Sequence, residues 1–199
     1  QFLNFETTNV LSGIVTLERD YTSSTLFRVF EDASFVGNGG VTTATFRNEG
    51  RLAMGTATTT STFDVTGNFV SEADSVYVVK LDDTSSDLVS VSGTATLNGG
   101  TVEVYHLSGI TAHTYTILEA DGGVSGTFDD LDLSPFVTAS LGYGNANAVT
   151  LTIDPLADTL NGSAIADALS NARNDLGLSL LSSGEIGGAL NDLAPIGSG

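Results

Sequence analysis

Alternation of apolar and polar residues at a period of two governs most of this chain. From residue 2 to about residue 153, short runs of mostly four to six residues alternate apolar side chains with Thr, Ser or charged ones. Clear examples are residues 41–46, 62–65, 101–105 and 148–153. Successive side chains of a β-strand point to opposite faces, so this pattern predicts short strands with one buried face. Helical periodicity is lacking in this region, which therefore predicts an all-β fold.

Three all-β architectures use strands of this kind: a sandwich, a closed barrel and a solenoid. Sandwiches and barrels join strands of similar length by hairpins. Here, corners rich in glycine and asparagine lie beside very short strands, at 37–40, 48–50, 67–68 and 98–100. Such corners suit a chain that turns by about a third of a coil and continues, so that stacked coils bury one apolar column. The spacing of these corners favours a solenoid. The sequence repeat is degenerate, however, and leaves the sandwich and the barrel open.

The charge of the chain limits the class of partner. The sequence has 24 acidic and 6 basic residues, a net charge of −18, and its basic residues are scattered. Nucleic-acid-binding proteins neutralise several phosphates with Lys and Arg, so nucleic acids and anionic membrane surfaces are poor partners. The absence of cysteine excludes thiolate metal sites and thiol catalysis, and it suits a protein that crosses a periplasm.

After residue 154 the pattern changes to helical spacing. Apolar residues recur every three or four positions, which predicts a helix over 163–176 with Ser163 as its N-cap and Gly177 as its end. A second, weaker helix is predicted over 185–193, before Pro195. The sequence thus predicts an all-β body followed by a short α-helical tail.

Patterns of catalytic residues are incomplete throughout the chain. The sequence has two histidines, His106 and His113, but no Gly-x-Ser-x-Gly nucleophile elbow with which either could act as a catalytic base. We interpret both histidines as surface loop residues. The segment 37–40 is rich in glycine but lacks the Lys and the following helix of a phosphate-binding loop. The sequence therefore predicts no catalytic residue, no cofactor and no enzymatic activity.

Two groups of aspartates could in principle hold calcium through oxygen ligands. One group lies at 82, 83 and 87, and the other at 129, 130 and 132. Neither belongs to an EF-hand loop or to a nonapeptide calcium repeat. We interpret both groups as solvated turn residues and predict no metal site.

From about residue 63 onward, several segments stand in an order typical of one known family. They are 63–69, with Phe63-Asp64-Val65-Thr66-Gly67-Asn68-Phe69, then 74–78, 86–102, 115–120, 123–128 and 149–153. This order resembles the conserved C-terminal passenger segment of pertactin-like autotransporters of the type V secretion family. The resemblance divides the chain into solenoid coils of the passenger at 1–62, an autochaperone-like end at 63–153, and a helical linker toward a missing outer-membrane barrel at 154–199.

The resemblance implies a right-handed parallel β-helix whose last coils fold first outside the cell and template the remaining coils. It also implies a secreted or cell-surface location, with upstream passenger coils and the barrel of the same parent chain as partners. Tyr115, Phe128 and Phe136 are candidates for the side chains that plug the end of the core. No small-molecule substrate is expected.

Two other functions stay open on the sequence alone. One is an adhesin module that binds host or sister-cell surfaces through the outside of the solenoid. The other is a carbohydrate-active enzyme, which would need carboxylates converging on one exposed face.

Overall fold

The described part of the protein is built of β-strands. A computed structural model describes residues 5–107, 112–133 and 137–155, and these contain sixteen strands. The strands are β1 Phe5–Val10, β2 Gly13–Leu17, β3 Tyr21–Val29, β4 Ala33–Gly37, β5 Val41–Asn48, β6 Arg51–Met54, β7 Thr62–Ser71, β8 Val76–Leu81, β9 Leu88–Val91, β10 Ala95–Asn98, β11 Thr101–His106, β12 His113–Ala120, β13 Val124–Thr127, β14 Asp130–Asp132, β15 Val137–Asn145 and β16 Ala148–Pro155. Within these residues no helix is long and apolar enough to cross a membrane. The all-β prediction is confirmed for this part of the chain.

The strands form two sheets that are largely parallel. The first sheet has the order β1-β3-β5-β7-β9-β12-β16-β15, with β10 and β13 pairing beside this path. The second sheet has the order β14-β11-β8-β6-β4-β2. Most strands pair in parallel with a strand that follows one circuit of the chain later, as β3 does with β5 and β5 with β7. This arrangement is compatible with a parallel β-helix.

The length of one circuit varies along the chain. Tyr21 pairs with Val41, Val41 with Val65, and Val65 with Val91, which are separations of 20, 24 and 26 residues. The extra residues lie mainly in the longer loops after β6 and β8, and register shifts within the paired strands add to the variation. This explains why the repeat is degenerate in the sequence.

The first sheet bends at Gly67, which lies within the long strand β7. The first part of β7 pairs with β9, and its last part pairs with the separate strand β10. Gly67 lies between the two parts with a φ of 137°, and a Cβ there would overlap the carbonyl oxygen of Thr43. Only glycine fits this position without displacing the neighbouring backbone.

A column of aromatic rings fills the core of the earlier coils. Its neighbouring ring centroids lie between 5.1 and 5.9 Å apart. The column consists of Phe27, Phe35, Phe46, Phe63 and Phe69, all at most 3% exposed. Such rings remove large apolar areas from water, and their edge-to-face and stacked contacts add to the stability of each coil.

The last two strands break the parallel series. β16 pairs antiparallel with β12, and β15 pairs antiparallel with β16. The amide of Asn147 in the β15–β16 turn donates to the carbonyl of Ala120 at 2.8 Å, which fastens the turn to the end of β12. The hairpin therefore occupies the edge to which a further parallel coil would otherwise add.

Two of the three predicted plug residues lie in the described core near this hairpin. Tyr115 is 5% and Phe128 6% exposed. The backbone N–H of Phe128 donates to the hydroxyl of Tyr143 in β15 at 2.9 Å, and its ring centroid lies 6.1 Å from that of Tyr77. Phe136 and the predicted helices at 163–176 and 185–193 lie outside the described residues.

The predicted boundary between residues 62 and 63 falls within continuous sheet. β7 begins there and pairs both with β5 before it and with β9 after it. Residues up to Pro155 form one compact unit.

Candidate functional site

Strands β1 and β2 expose side chains whose register partners in β3 and β4 are buried. Val15 in β2 pairs with Phe35 in β4, yet Val15 is 40% exposed and Phe35 is fully buried. Likewise Phe5 in β1 is 52% exposed, while its register partner Ser23 is 1% exposed. These side chains face the interior of the coil, and they are exposed because the described chain places no coil before them.

Together these residues form a surface that we call the open edge. It consists of Phe5, Leu11 and Val15, three of the five large hydrophobic residues that are exposed in the described part of the chain. Ile14 is also exposed, but it pairs with Ser34 on the outward face of β4 and points away from the core. A concave region of about 800 Å³ lies here and is bordered by the core residues Val10, Phe27 and Phe35. β1 and β2 each stand at the end of their sheet, so their outer backbone groups are available for pairing.

At the opposite end, the hairpin covers the core. We call β12, β15 and β16 the closed end. Leu151 and Ile153 in β16 are at most 2% exposed, and Ala139, Leu141 and Tyr143 in β15 are partly buried against the core. The two ends of the described strands therefore differ: β1 and β2 expose large apolar side chains, whereas β16 covers β12, and β15 and β14 are the last strands of their sheets.

The histidines lie near each other in sequence but have different surroundings. His106 ends β11, and its Nε2 is buried without a hydrogen-bond partner. Burial lowers the pKa of His106. His113 begins β12 on the surface, with its ring centroid 4.6 Å from that of Tyr115. In neither place do the described contacts bring a serine hydroxyl and a carboxylate to the imidazole.

The first aspartate group is separated by the fold. Asp82 caps a turn, where its Oδ1 accepts hydrogen bonds from the backbone N–H groups of Thr84 (2.9 Å) and Ser85 (2.7 Å), and these bonds lower its pKa. Asp87 is completely buried, and desolvation raises its pKa despite the adjacent Lys80. The interpretation of Asp87 as a solvated turn residue is therefore wrong.

The buried Asp87 is explained by its partners. Its carboxylate lies 2.5 Å from Lys80 Nζ and accepts hydrogen bonds from the backbone N–H groups of Ser61 (2.8 Å) and Lys80 (3.0 Å). Buried charges persist when they are paired and hydrogen-bonded in this way. The sequence could not reveal the pair, because the partners come from two different loops and a strand.

The second aspartate group, at 129, 130 and 132, lies on the surface after Phe128. Among the residues that the structure describes, no three histidines or acidic residues stand where they could jointly hold a metal ion.

Several basic residues form ion pairs between neighbouring coils. Arg28 lies 2.6 Å from Glu49, Arg47 lies 3.1 Å from Glu72, and Arg51 pairs with Glu103. Each of these arginines is thus neutralised by a glutamate that lies on, or next to, another strand of the same sheet. In the part of the chain that the structure describes, these three arginines therefore link neighbouring strands.

The chain matches no model of a known protein family and no curated protein.

Proposed function

We propose that this chain is the non-catalytic C-terminal part of an autotransporter passenger, a right-handed parallel β-helix that nucleates and caps folding of the passenger during export. The observation that carries the proposal is the contrast between the open edge and the closed end. The resemblance of residues 63–153 to pertactin-like passengers supports it from the sequence.

The contrast gives folding a direction. A coil arriving at β1 and β2 would satisfy their outer backbone groups and cover Phe5, Leu11 and Val15. At the closed end, the antiparallel hairpin occupies the corresponding edge. At β12 the antiparallel hairpin takes the place of the next parallel strand, so in this proposal upstream coils add at β1 and β2. Because starting a stack costs more than extending it, a preformed C-terminal block accelerates the addition of each upstream coil.

Partners and location follow from the same proposal. Upstream coils of the parent chain would occupy the open edge, and an outer-membrane barrel of that chain would follow residues 154–199. The protein would then stand on the cell surface or be released from it.

The test compares the full chain with a version that begins at residue 63, by circular dichroism and denaturant unfolding. We expect residues 63–199 to unfold cooperatively by themselves, because they retain the closed end and the strands that pack beneath it. A control that ends at residue 133 lacks β15 and β16, and we expect it to lose this cooperative transition.

The proposal fails if the full chain melts as one unit while residues 63–199 are unfolded. In that case the C-terminal part cannot nucleate the rest, and an adhesin role for the whole solenoid becomes the better explanation.

A further inference from the structure

The outer face of the second sheet carries an apolar row in its middle. Val36 pairs with Ala53, and Ala53 and Val78 directly follow the paired residues Leu52 and Tyr77. Since Leu52 and Tyr77 are buried in the core, alternation places Val36, Ala53 and Val78 on the opposite, outward face. Val78 is nevertheless only 6% exposed. Part of the chain must therefore cover this outward face.

One covering segment is the loop that follows β6 (the first loop), and it is tied to the loop that follows β8 (the second loop). Asp87 in the second loop accepts a hydrogen bond from the backbone N–H of Ser61 in the first loop, and its other oxygen binds Lys80. Lys80 Nζ also donates to the carbonyl oxygen of Met54 at the start of the first loop. This buried pair holds both loops in fixed positions beside the apolar row.

A cavity of about 410 Å³ lies between this row, the first loop and the end of β11. We call it the outer cavity. Its apolar lining includes Val36, Ala53, Ala57, Val78 and Leu107, with Tyr105 and His106 also bordering it. The volume falls within the range of about 300–1,000 Å³ that is usual for small-ligand sites.

The charged groups around the outer cavity already have partners. Lys80 is paired with Asp87, and Glu103 accepts hydrogen bonds from both Arg51 and the hydroxyl of Tyr105. A charged ligand would lose its hydration without gaining a new counter-charge. An apolar ligand, by contrast, would gain the free energy of removing its surface and the lining from water. Burial also favours the neutral form of the His106 ring by lowering its pKa.

We propose that the outer cavity binds an uncharged, largely apolar small molecule of the size of a bicyclic aromatic ring. The loop after β6 and the end of β11 form its wall, and the row Val36–Ala53–Val78 forms its floor. The site is independent of the proposed role in passenger folding, since it lies on the outer face and involves neither end of the stack.

The experiment uses indole as the probe and the full chain labelled with ¹³C at the alanine methyl groups. Ala53 and Ala57 border the outer cavity, whereas Ala44 is exposed on β5 and serves as an internal control. We expect the Ala53 and Ala57 methyl signals to shift and saturate, with a Kd of about 1 mM or tighter. The Ala44 signal should stay unchanged.

A cavity-filling variant tests the location of binding. Ala53→Phe should weaken indole binding at least about tenfold, a change of about 1.4 kcal/mol, while Ala44→Phe should bind like the parent chain. If Ala53→Phe loses the dispersed spectrum of a folded protein, Ala57→Leu replaces it.

Two results would overturn the proposal. One is the lack of any saturable shift at Ala53 and Ala57 up to the solubility limit of indole. The other is unchanged indole binding by a folded cavity-filling variant, which would place the ligand at the open edge instead.

Discussion

The two ends of the described strands differ in how the core is covered. At the open edge, Val15 keeps 40% of its surface exposed although its register partner Phe35 is fully buried. At the closed end, Leu151 is fully buried although it belongs to the last strand described. At the closed end, antiparallel β16 stands where the next parallel strand of the first sheet would pair with β12. The outer strands β14 and β15 keep unpaired edges of their own, so the difference between the ends lies in the apolar side chains that β1 and β2 expose.

The largest expected effect on stability comes from comparing one substitution at each end. Phe128→Ala removes a ring that is 6% exposed near the closed end, and we expect it to lower the free energy of unfolding by about 3–5 kcal/mol. Phe5→Ala at the open edge removes a ring that is 52% exposed, and its cost should stay below about 1 kcal/mol. Denaturant unfolding of both variants measures the difference. Equal losses, or a loss below about 1 kcal/mol for Phe128→Ala, would contradict the contrast between the ends.

A smaller loss of stability is expected from breaking the buried Lys80–Asp87 pair, which lies between the two ends. Lys80→Met keeps an apolar chain of similar length but leaves the carboxylate of Asp87 buried without its counter-charge. We expect the free energy of unfolding to fall by about 3 kcal/mol. This is the lower end of the cost usual for breaking a buried ion pair, because two backbone N–H groups still bind Asp87.

Adding Asp87→Asn to Lys80→Met is the matched control. The amide carries no charge to be compensated, so the double variant should recover much of the lost stability. If Lys80→Met leaves the unfolding midpoint unchanged, the closed end alone governs stability and the middle coils contribute little.

The smallest effect concerns the ion pair that joins β6 to β11. Hydrogen bonding from Arg51 lowers the pKa of Glu103. Because the pKa of Glu103 is lower in the folded than in the unfolded chain, its ion pair stabilises the fold fully at a pH above the unfolded pKa. This stabilisation is lost as the pH falls through the folded pKa. We expect Glu103→Gln to cost about 0.2–1 kcal/mol at neutral pH, because the pair is partly solvated.

Unfolding of the parent chain and of Glu103→Gln across the acidic range tests this sign. The stability difference should shrink as the pH is lowered. A difference that grows toward acid would show that another group dominates the pH dependence.

Much of the local structure could be predicted from residue patterns. The runs at 41–46, 101–105 and 148–153 all lie within strands, and the corner at Gly67 lies at the bend of the first sheet. These features depend on side-chain alternation and on the conformational freedom of glycine, both of which are local properties. Burial of Tyr115 and Phe128 was also predicted, through the family resemblance.

Other features could not be predicted because they depend on distant residues. Asp87 looked like a turn acid and is buried, since Lys80 and Ser61 reach it only in the folded chain. The open edge gave no signal, because Phe5 and Val15 lie in strands with the same alternating pattern as strands that are buried. The outer cavity depends on the placement of two loops over a sheet face, which alternation does not encode.

The sequence by itself determined that this chain forms short strands with one apolar face, separated by glycine and asparagine corners. Those properties arise within a few residues, from the geometry of the extended backbone. Only the tertiary structure decided which edge is covered, which charges are buried as a pair, and where apolar residues face outward. Strand pairing depends on contacts between residues about 20 or more positions apart, and even the Lys80–Asp87 pair, whose members are 7 positions apart, is held by Ser61, 26 positions from Asp87. The free energy of such contacts appears only when the strands come together.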